Sequence, residues 1–400
     1  MVSQRAAVFG VFAVNGAALG SWAPRVPALT EQVDAHTGTF GLALLGASVG
    51  MVLAASVSGR LVQRFGARAV TAWSGFAGCA LLPAVGSAGS VALLGIALLG
   101  LGAAVGALDV GMNVAGVVAE RRAGRSIMPV FHAGFAFGAL IGSAAAGGAA
   151  AAGWSPAAHL ALAGGAAAIV LTVLVRPLPV HSGTAAGDGG RPALQARPLA
   201  RRPVLWLLAA VALCSAIAEG ASADWSALLM VTSHATGEGA AALAYSGFAL
   251  AMAITRLAGA WGQRRFGPTR LLIGSAAAAA AGLLAAALVP LPAAGYLGFA
   301  LAGAGLAASF PVALSLAGEA GQNADGSGGE REIGFVTTIA YSGFLAGPPA
   351  IGGIARLTSL PIAFVVVAAV AAVIAAAALG ARYARVREQA RRSELDAAVR

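Results

Sequence analysis

Long apolar stretches of similar length, separated by short segments rich in Gly, Pro and Arg, run through the whole chain. A helix needs about 20 apolar residues to cross a hydrocarbon core. Stretches at 6–28, 38–59, 69–87, 90–119, 128–152 and 155–175 meet that length, and six more follow at 204–231, 239–261, 271–290, 294–317, 333–355 and 360–380. The pattern predicts an all-α membrane protein of twelve transmembrane helices in two pseudo-repeated six-helix bundles. The segment 176–203 is rich in Pro, Gly and Arg and poor in large apolar residues, which predicts a flexible polar linker. The expected organisation is a first bundle over 1–175, a cytoplasmic linker over 176–203, a second bundle over 204–380 and a basic cytoplasmic tail over 381–400.

Composition strengthens that reading. The chain is 59% hydrophobic and 10% charged, with a mean hydropathy of +0.84, against about 25% charged for a soluble domain. A net charge of +10 in a soluble protein would suggest nucleic acid. Here all 25 basic residues are Arg and lie mostly between apolar stretches. With the N-terminus inside, 22 of the 25 fall in cytoplasmic segments, leaving Arg25, Arg256 and Arg356 elsewhere. That skew predicts an inner (cytoplasmic) membrane protein with both termini cytoplasmic. The lack of Lys excludes a phosphate-binding loop of the G-x-x-x-x-G-K-[ST] type, and with it an ATP-driven motor in this chain. Cys79 and Cys214 lie within apolar stretches, with no spacing that suggests a disulfide framework or a zinc site. No metal or cofactor is expected.

The halves resemble each other. Asn15-Gly16-Ala17-Ala18 leading to Ser21-Trp22-Ala23 answers Glu219-Gly220-Ala221-Ser222 leading to Asp224-Trp225-Ser226. Arg64-Phe65-Gly66 answers Arg265-Phe266-Gly267, and Gly134-Phe135 with Gly138 answers Gly343-Phe344 with Gly347. Three matches in the same order argue for duplication, and duplicated six-helix halves are a transporter architecture that holds substrate at their interface. The recurrence of the Asn15 to Trp22 segment also favours a retained first helix over a cleaved signal peptide.

The segment Gly59-Arg60-Leu61-Val62-Gln63-Arg64-Phe65-Gly66-Ala67-Arg68 resembles the signature loop between the second and third helices of the major facilitator superfamily, with Gln63 where the signature usually has Asp. Gly59, Arg60, Arg64, Gly66 and Arg68 carry the match. Ser21-Trp22-Ala23-Pro24-Arg25-Val26-Pro27, Asp109-Val110-Gly111-Met112-Asn113, Phe131-His132-Ala133-Gly134, Glu219-Gly220 through Asp224-Trp225, and Gly343-Phe344 through Gly347-Pro348-Pro349 are similar to a bacterial branch near the fucose permeases. The resemblance covers essentially the whole chain and implies a secondary transporter.

Three carboxylates fall inside the predicted spans: Asp109, Glu219 and Asp224. A charge at mid-bilayer costs at least ~2.5 kcal/mol, so ionisable groups there usually face a cavity and serve function. Asp109, with Asn113 one turn away on the same face, and Glu219, which answers Asn15, are the proton-coupling candidates. Asn15, Asn113, Trp22, Trp225 and His132 are the substrate-binding candidates. The two Trp residues could instead anchor at the membrane interface, and His132 could instead hydrogen-bond Glu120 or a backbone carbonyl. Asp224 is expected to pair with Arg25 or Arg356 as a gating or structural ion pair. Arg256 is expected to snorkel to the interface or latch a helix end. Gly46-Ala47-Ser48-Val49-Gly50 matches a hydrolase nucleophile pattern, yet it sits inside a predicted span, where close helix packing is the better account.

The expected function is secondary active transport of a small polar organic solute, a sugar or sugar derivative being favoured, by alternating access with proton coupling. A proton-driven exporter of drugs or metabolites is the alternative. No clustered nucleophile or metal set argues for an enzyme. The expected partners are a small solute, protons and the lipid bilayer, without nucleic acid, for a monomeric carrier.

Overall fold

In the computed structural model, residues 3–123, 127–179, 199–321 and 330–399 are described, and among them every regular element is helical. The first bundle holds α1 (Gln4–Trp22), α2 (Val26–Gln32), α3 (Thr37–Phe65), α4 (Ala67–Gly86), α5 (Val91–Ala123), α6 (Met128–Ala151) and α7 (Pro156–Val175). The second holds α8 (Pro203–His234), α9 (Glu238–Phe266), α10 (Pro268–Leu288), α11 (Pro292–Leu306), α12 (Ser309–Gly321), α13 (Glu330–Leu357) and α14 (Leu360–Val399). With α1 and α2 taken as one interrupted span and α11 and α12 as another, eleven described helices are long and apolar enough to cross a membrane, and the more polar α13 completes the twelve-helix bundle. Most of the expected linker, from 180 to 198, lies outside the described residues, as do Arg125, Arg191, Arg197 and Arg400.

Three helices depart from the expected ones. The first span is not one helix over 6–28: a tight 3-10 turn at Ala23–Arg25 divides it, because Pro24 lacks the N–H that a continuous α-helix would use. The tenth is divided at Ala307 and Ala308, where α11 ends and α12 begins at Ser309. The twelfth does not stop at 380. α14 continues to Val399, and Arg385 pairs with Glu319 of α12 at 2.7 Å. Beside it, Arg202 bonds Glu332 at 2.9 Å, Glu388 at 3.0 Å and the Ala320 carbonyl at 2.8 Å, tying the starts of α8 and α13 to the end of α12 and to α14.

The signature segment is not an extended loop. α3 runs to Phe65 and α4 starts at Ala67, so Gly66 alone makes the corner, with φ 83° and ψ 152°. Gly267 makes the answering corner between α9 and α10 with φ 76° and ψ 158°. This region is essentially open only to Gly, so the duplicated Arg-Phe-Gly reflects a duplicated backbone conformation. At both corners an Arg guanidinium lies over the neighbouring Phe ring, Arg64 on Phe65 and Arg265 on Phe266, and exposed Trp73 and Trp261 stack edge-on against those rings. Such aromatic collars suit a membrane–water boundary.

Glycine packing builds each half. A methyl group on Gly138 of α6 would lie 1.9 Å from the Ala13 carbonyl oxygen of α1, and one on Gly50 of α3 would lie 2.0 Å from that of Leu99 in α5. The hydrolase-like run is therefore a packing surface, and its Ser48 hydroxyl donates to the Phe344 carbonyl at 2.6 Å.

Candidate functional site

The halves meet chiefly through two helix pairs, α3 with α13 and α6 with α9, near the end of the bundle opposite the chain termini, and α2 with the Ala23–Arg25 turn adds contacts to α8 and α9. Along α3, Gly41 is so close to α13 that a methyl group would lie 2.7 Å from the Pro348 carbonyl oxygen, and one on Gly352 would lie 2.5 Å from that of Thr37. Along α6, a methyl on Gly147 would lie 2.9 Å from the Gly239 carbonyl oxygen of α9. The Ser246 hydroxyl donates to the Ser143 hydroxyl at 2.6 Å across the same contact. These pairs seal that end.

Below the seals, toward the terminal end, several polar side chains in the spans are not buried. Asp109 and Asn113 of α5 are half-exposed, as is Glu219 of α8, while His132, Arg256 and Tyr341 are exposed. On α13, exposed Arg331, Gly334, Thr338, Tyr341 and Ser342 fall at helical spacing on one face. Tyr341 lies within electrostatic reach of Asp109 in the other half, and His132 within reach of Arg256. These groups form a polar set drawn from both halves, on the terminal side of the contacts that join them.

Within this set, the Asn113 side-chain amide donates to the Asp109 backbone carbonyl at 2.8 Å and to its carboxylate at 3.2 Å, so the anticipated one-turn patch is formed. Arg256 departs from expectation: its guanidinium reaches Glu219 at 3.6 Å rather than the interface or a helix end. Asp224 pairs with neither Arg25 nor Arg356 and makes no ion pair among the described residues. Arg25 is buried and donates to the Trp154 carbonyl at 2.6 Å. The Arg356 side chain runs beside Gly38 of α3, where a methyl group would lie 2.8 Å from its Cδ.

Asn15 is buried, its amide turned to the Met112 sulfur at 3.7 Å and its Oδ1 without a partner. His132 forms no hydrogen bond to Glu120. Its ring meets Phe12 edge-on at 5.2 Å, and Glu120 instead accepts the Ile127 and Met128 backbone N–H groups at the start of α6. Trp22 and Trp225 are 6% and 0% exposed, which removes both from the lipid interface. Trp225 packs into the α3–α13 seal, against Phe40 at 6.1 Å and beside Gly352.

The sequence reading passed over Tyr245 and Tyr341. Tyr245-Ser246-Gly247-Phe248 in α9 and Tyr341-Ser342-Gly343-Phe344 in α13 are the same tetrapeptide, and His132-Ala133-Gly134-Phe135 in α6 is a relative of it. Tyr245 is buried, within electrostatic reach of Glu219, Asp224 and Arg256. The identical tetrapeptide was a readable signal that these helices share one role.

The family model described as Major Facilitator Superfamily matches residues 8–329. The chain belongs to the major facilitator superfamily. An uncharacterized transporter of this superfamily from Yersinia pestis is 33% identical over 379 residues, covering 94% of this chain and 95% of its own. The nucleoside transporter NupG superposes with a TM-score of 0.78 at 14% identity over 95% of this chain and 100% of its own. FucP, a major facilitator transporter solved in an outward conformation, gives 0.63 at 18% identity over 95% and 98%. Superfamily membership makes the chain a multi-pass membrane transporter rather than an enzyme.

Proposed function

We propose that this major facilitator protein is a proton-coupled carrier of a small, hydroxyl-rich solute, a sugar or sugar derivative, working as a monomer by alternating access in the inner membrane. The observation that carries the reading is the polar set of Asp109, Asn113, His132, Glu219, Arg256 and Tyr341 inside the spans, none of them buried. Such groups are costly in a membrane unless they face water or a ligand. Their mix of acids, amide, imidazole and phenol can donate and accept hydrogen bonds around a polyol, and NupG, a nucleoside transporter of the same fold, lends support to a sugar-bearing solute. The Arg distribution supports a cytoplasmic terminal end, so the contacts between the halves lie toward the outer side in this reading.

In this reading Asp109 exchanges a proton while Asn113 holds its carboxylate in place, and the Glu219–Arg256 pair responds to solute. Coupling arises because the protonated and deprotonated forms favour different conformations, so the gradient works through differential affinity. The test is uptake into proteoliposomes under an imposed proton gradient, with a panel of sugars, polyols and nucleosides beside amphiphilic drugs. Gradient-dependent accumulation of a polar solute, lost in Asp109→Asn and reduced in Glu219→Gln, is expected. Uptake that ignores both the gradient and the substitutions refutes coupling, and transport confined to the drugs refutes the solute class.

A further inference from the structure

The start of α10 borders a groove that no side chain of the chain fills. Over its first three turns α10 presents Gly274, Ser275 and Ala278, and α11 answers with Ala304 and Gly305, leaving a space of about 390 Å³ with Phe266 and Arg270 at its mouth. α9 and α10 both pack on α11 but touch each other little, and α10 otherwise packs chiefly on α14, all within its own bundle. The groove therefore lies on the outer surface, between α9 and α10, and not between the halves. α11 approaches its floor closely, since a methyl group on Gly305 would lie 2.7 Å from the Ser275 carbonyl oxygen. A methyl on Gly274 would meet no atom within 4 Å.

Depth and charge separate this groove from a featureless apolar surface. Phe266 stacks edge-on with exposed Trp261 in the aromatic collar, which sets Arg270 at the level of lipid headgroups. Arg264 and Arg270 are exposed and have neither an ion pair nor a hydrogen bond among the described residues, and Arg265 lies over the Phe266 ring. α10 contains no carboxylate, and Glu319, Glu332 and Glu388 at this end of the bundle are held by Arg385 and Arg202. The guanidinium charge at the mouth is thus without a protein counter-charge. Ser275, five residues or about 7.5 Å further in, has a hydroxyl without a partner among the described residues.

We propose that this groove binds one anionic phospholipid from the leaflet at the terminal end, with its phosphate on Arg270, its glycerol ester beside the Ser275 hydroxyl and an acyl chain over Gly274, Ala278 and Ala304. The apolar channel accepts any acyl chain, so the headgroup is chosen at the mouth, where basic groups between transmembrane helices favour anionic lipid. An ethanolamine headgroup brings an ammonium against the guanidinium groups, whereas a glycerol headgroup leaves the phosphate charge uncompensated. The site is separate from the polar set between the halves, and it requires neither proton coupling nor a particular solute.

The test uses the full chain in phosphatidylcholine vesicles carrying a trace of phosphatidylglycerol or phosphatidylethanolamine with the same photoactivatable acyl chain, and cross-linked peptides are quantified by mass spectrometry. Phosphatidylglycerol is expected to label peptides of α10 and α11 about fivefold more than phosphatidylethanolamine, the size of one guanidinium's attraction to anionic lipid. Arg270→Gln is expected to make the two lipids equal. Gly274→Leu, which points a side chain into open space, is expected to lower labelling by both about tenfold, as for the loss of about two buried methylenes. Arg176→Gln and Gly165→Leu make the same changes on α7, where a methyl on Gly165 also has no atom within 4 Å, and should keep the parent's pattern. Equal labelling by both lipids in the parent, or an Arg270→Gln variant that keeps the preference, overturns the proposal. So does labelling of α10 and α11 that ignores Gly274→Leu. A preference lost on adding inorganic phosphate at fixed ionic strength assigns Arg270 to a free anion and overturns it too. Arg270 is exposed, so Arg270→Gln decides the matter even where Gly274→Leu does not fold.

Discussion

Gly352 offers a direct way to shift the balance between sealed and open states. Replacing it with Ala puts a methyl carbon 2.5 Å from the Thr37 carbonyl oxygen, 3.2 Å from Gly41 Cα and 3.3 Å from the Trp225 ring, and two of these three are backbone atoms that cannot rotate away. Relief requires α3 and α13 to part by about 0.5 Å or more, and a gap of that size forfeits roughly a quarter to a half of each dispersion contact along the line. Overpacking of this kind costs about 1–3 kcal/mol, borne by the sealed state alone because the contact exists only there. The sealed population should fall about 5- to 150-fold relative to the open one. Spin labels at exposed His36 and Thr358, beside the α3 and α13 ends, would report this as a longer-distance population. Gly353→Ala is the control, because a methyl there has no atom within 4 Å. Identical distance distributions for the two variants would refute the reasoning.

Other outcomes follow from the same geometry. Gly239→Ala, which meets the Gly147 carbonyl oxygen at 2.8 Å, should open the second seal in the same direction, read as faster maleimide labelling at Ser143→Cys. Gly66→Ala and Gly267→Ala each force a Cβ-bearing residue into a glycine-only conformation, at about 1–3 kcal/mol, and should lower the thermal midpoint in detergent without changing the seal distance. Arg202→Met removes the ties to Glu332 and Glu388 and should raise amide exchange in α14 beyond Arg382 while the membrane-embedded part stays protected; unchanged exchange there would show that the ties do not hold this extension.

Local features of the chain were readable and distant pairings were not. The spans followed from apolar length, and the Asp109–Asn113 patch followed from a four-residue spacing that any helix converts into contact. The Arg64-Phe65-Gly66 and Arg265-Phe266-Gly267 match marked two corners of one design. Pro24 was visible, but its effect depended on whether the first span tolerated a break, which is a matter of packing. The division at Ala307 and Ala308 is flanked by Gly305 and Pro311, and Pro311 lacks the N–H that would bond the Ala307 carbonyl, a signal the expected continuous span left unused. Glu219 and Arg256 meet because α8 and α9 pack side by side. Nothing local to either residue encodes that pairing, so Arg256 was read as a surface group. Asp224 was given Arg25 or Arg356 as a partner because all three lie toward the outer end of their spans, but Arg25 instead donates to the Trp154 carbonyl and Arg356 lies along Gly38.

The seals are built largely from main chain: the Gly41, Gly352, Gly147 and Gly239 contacts bring backbone against backbone, with the Ser48, Ser143 and Ser246 hydroxyls bonding across them. At such a glycine there is no smaller side chain to substitute and no rotamer to improve. Variation at these four sites is therefore one-directional. It can loosen the closed arrangement but not tighten it, and a variant with a firmer closure would have to arise from residues that disfavour the open form.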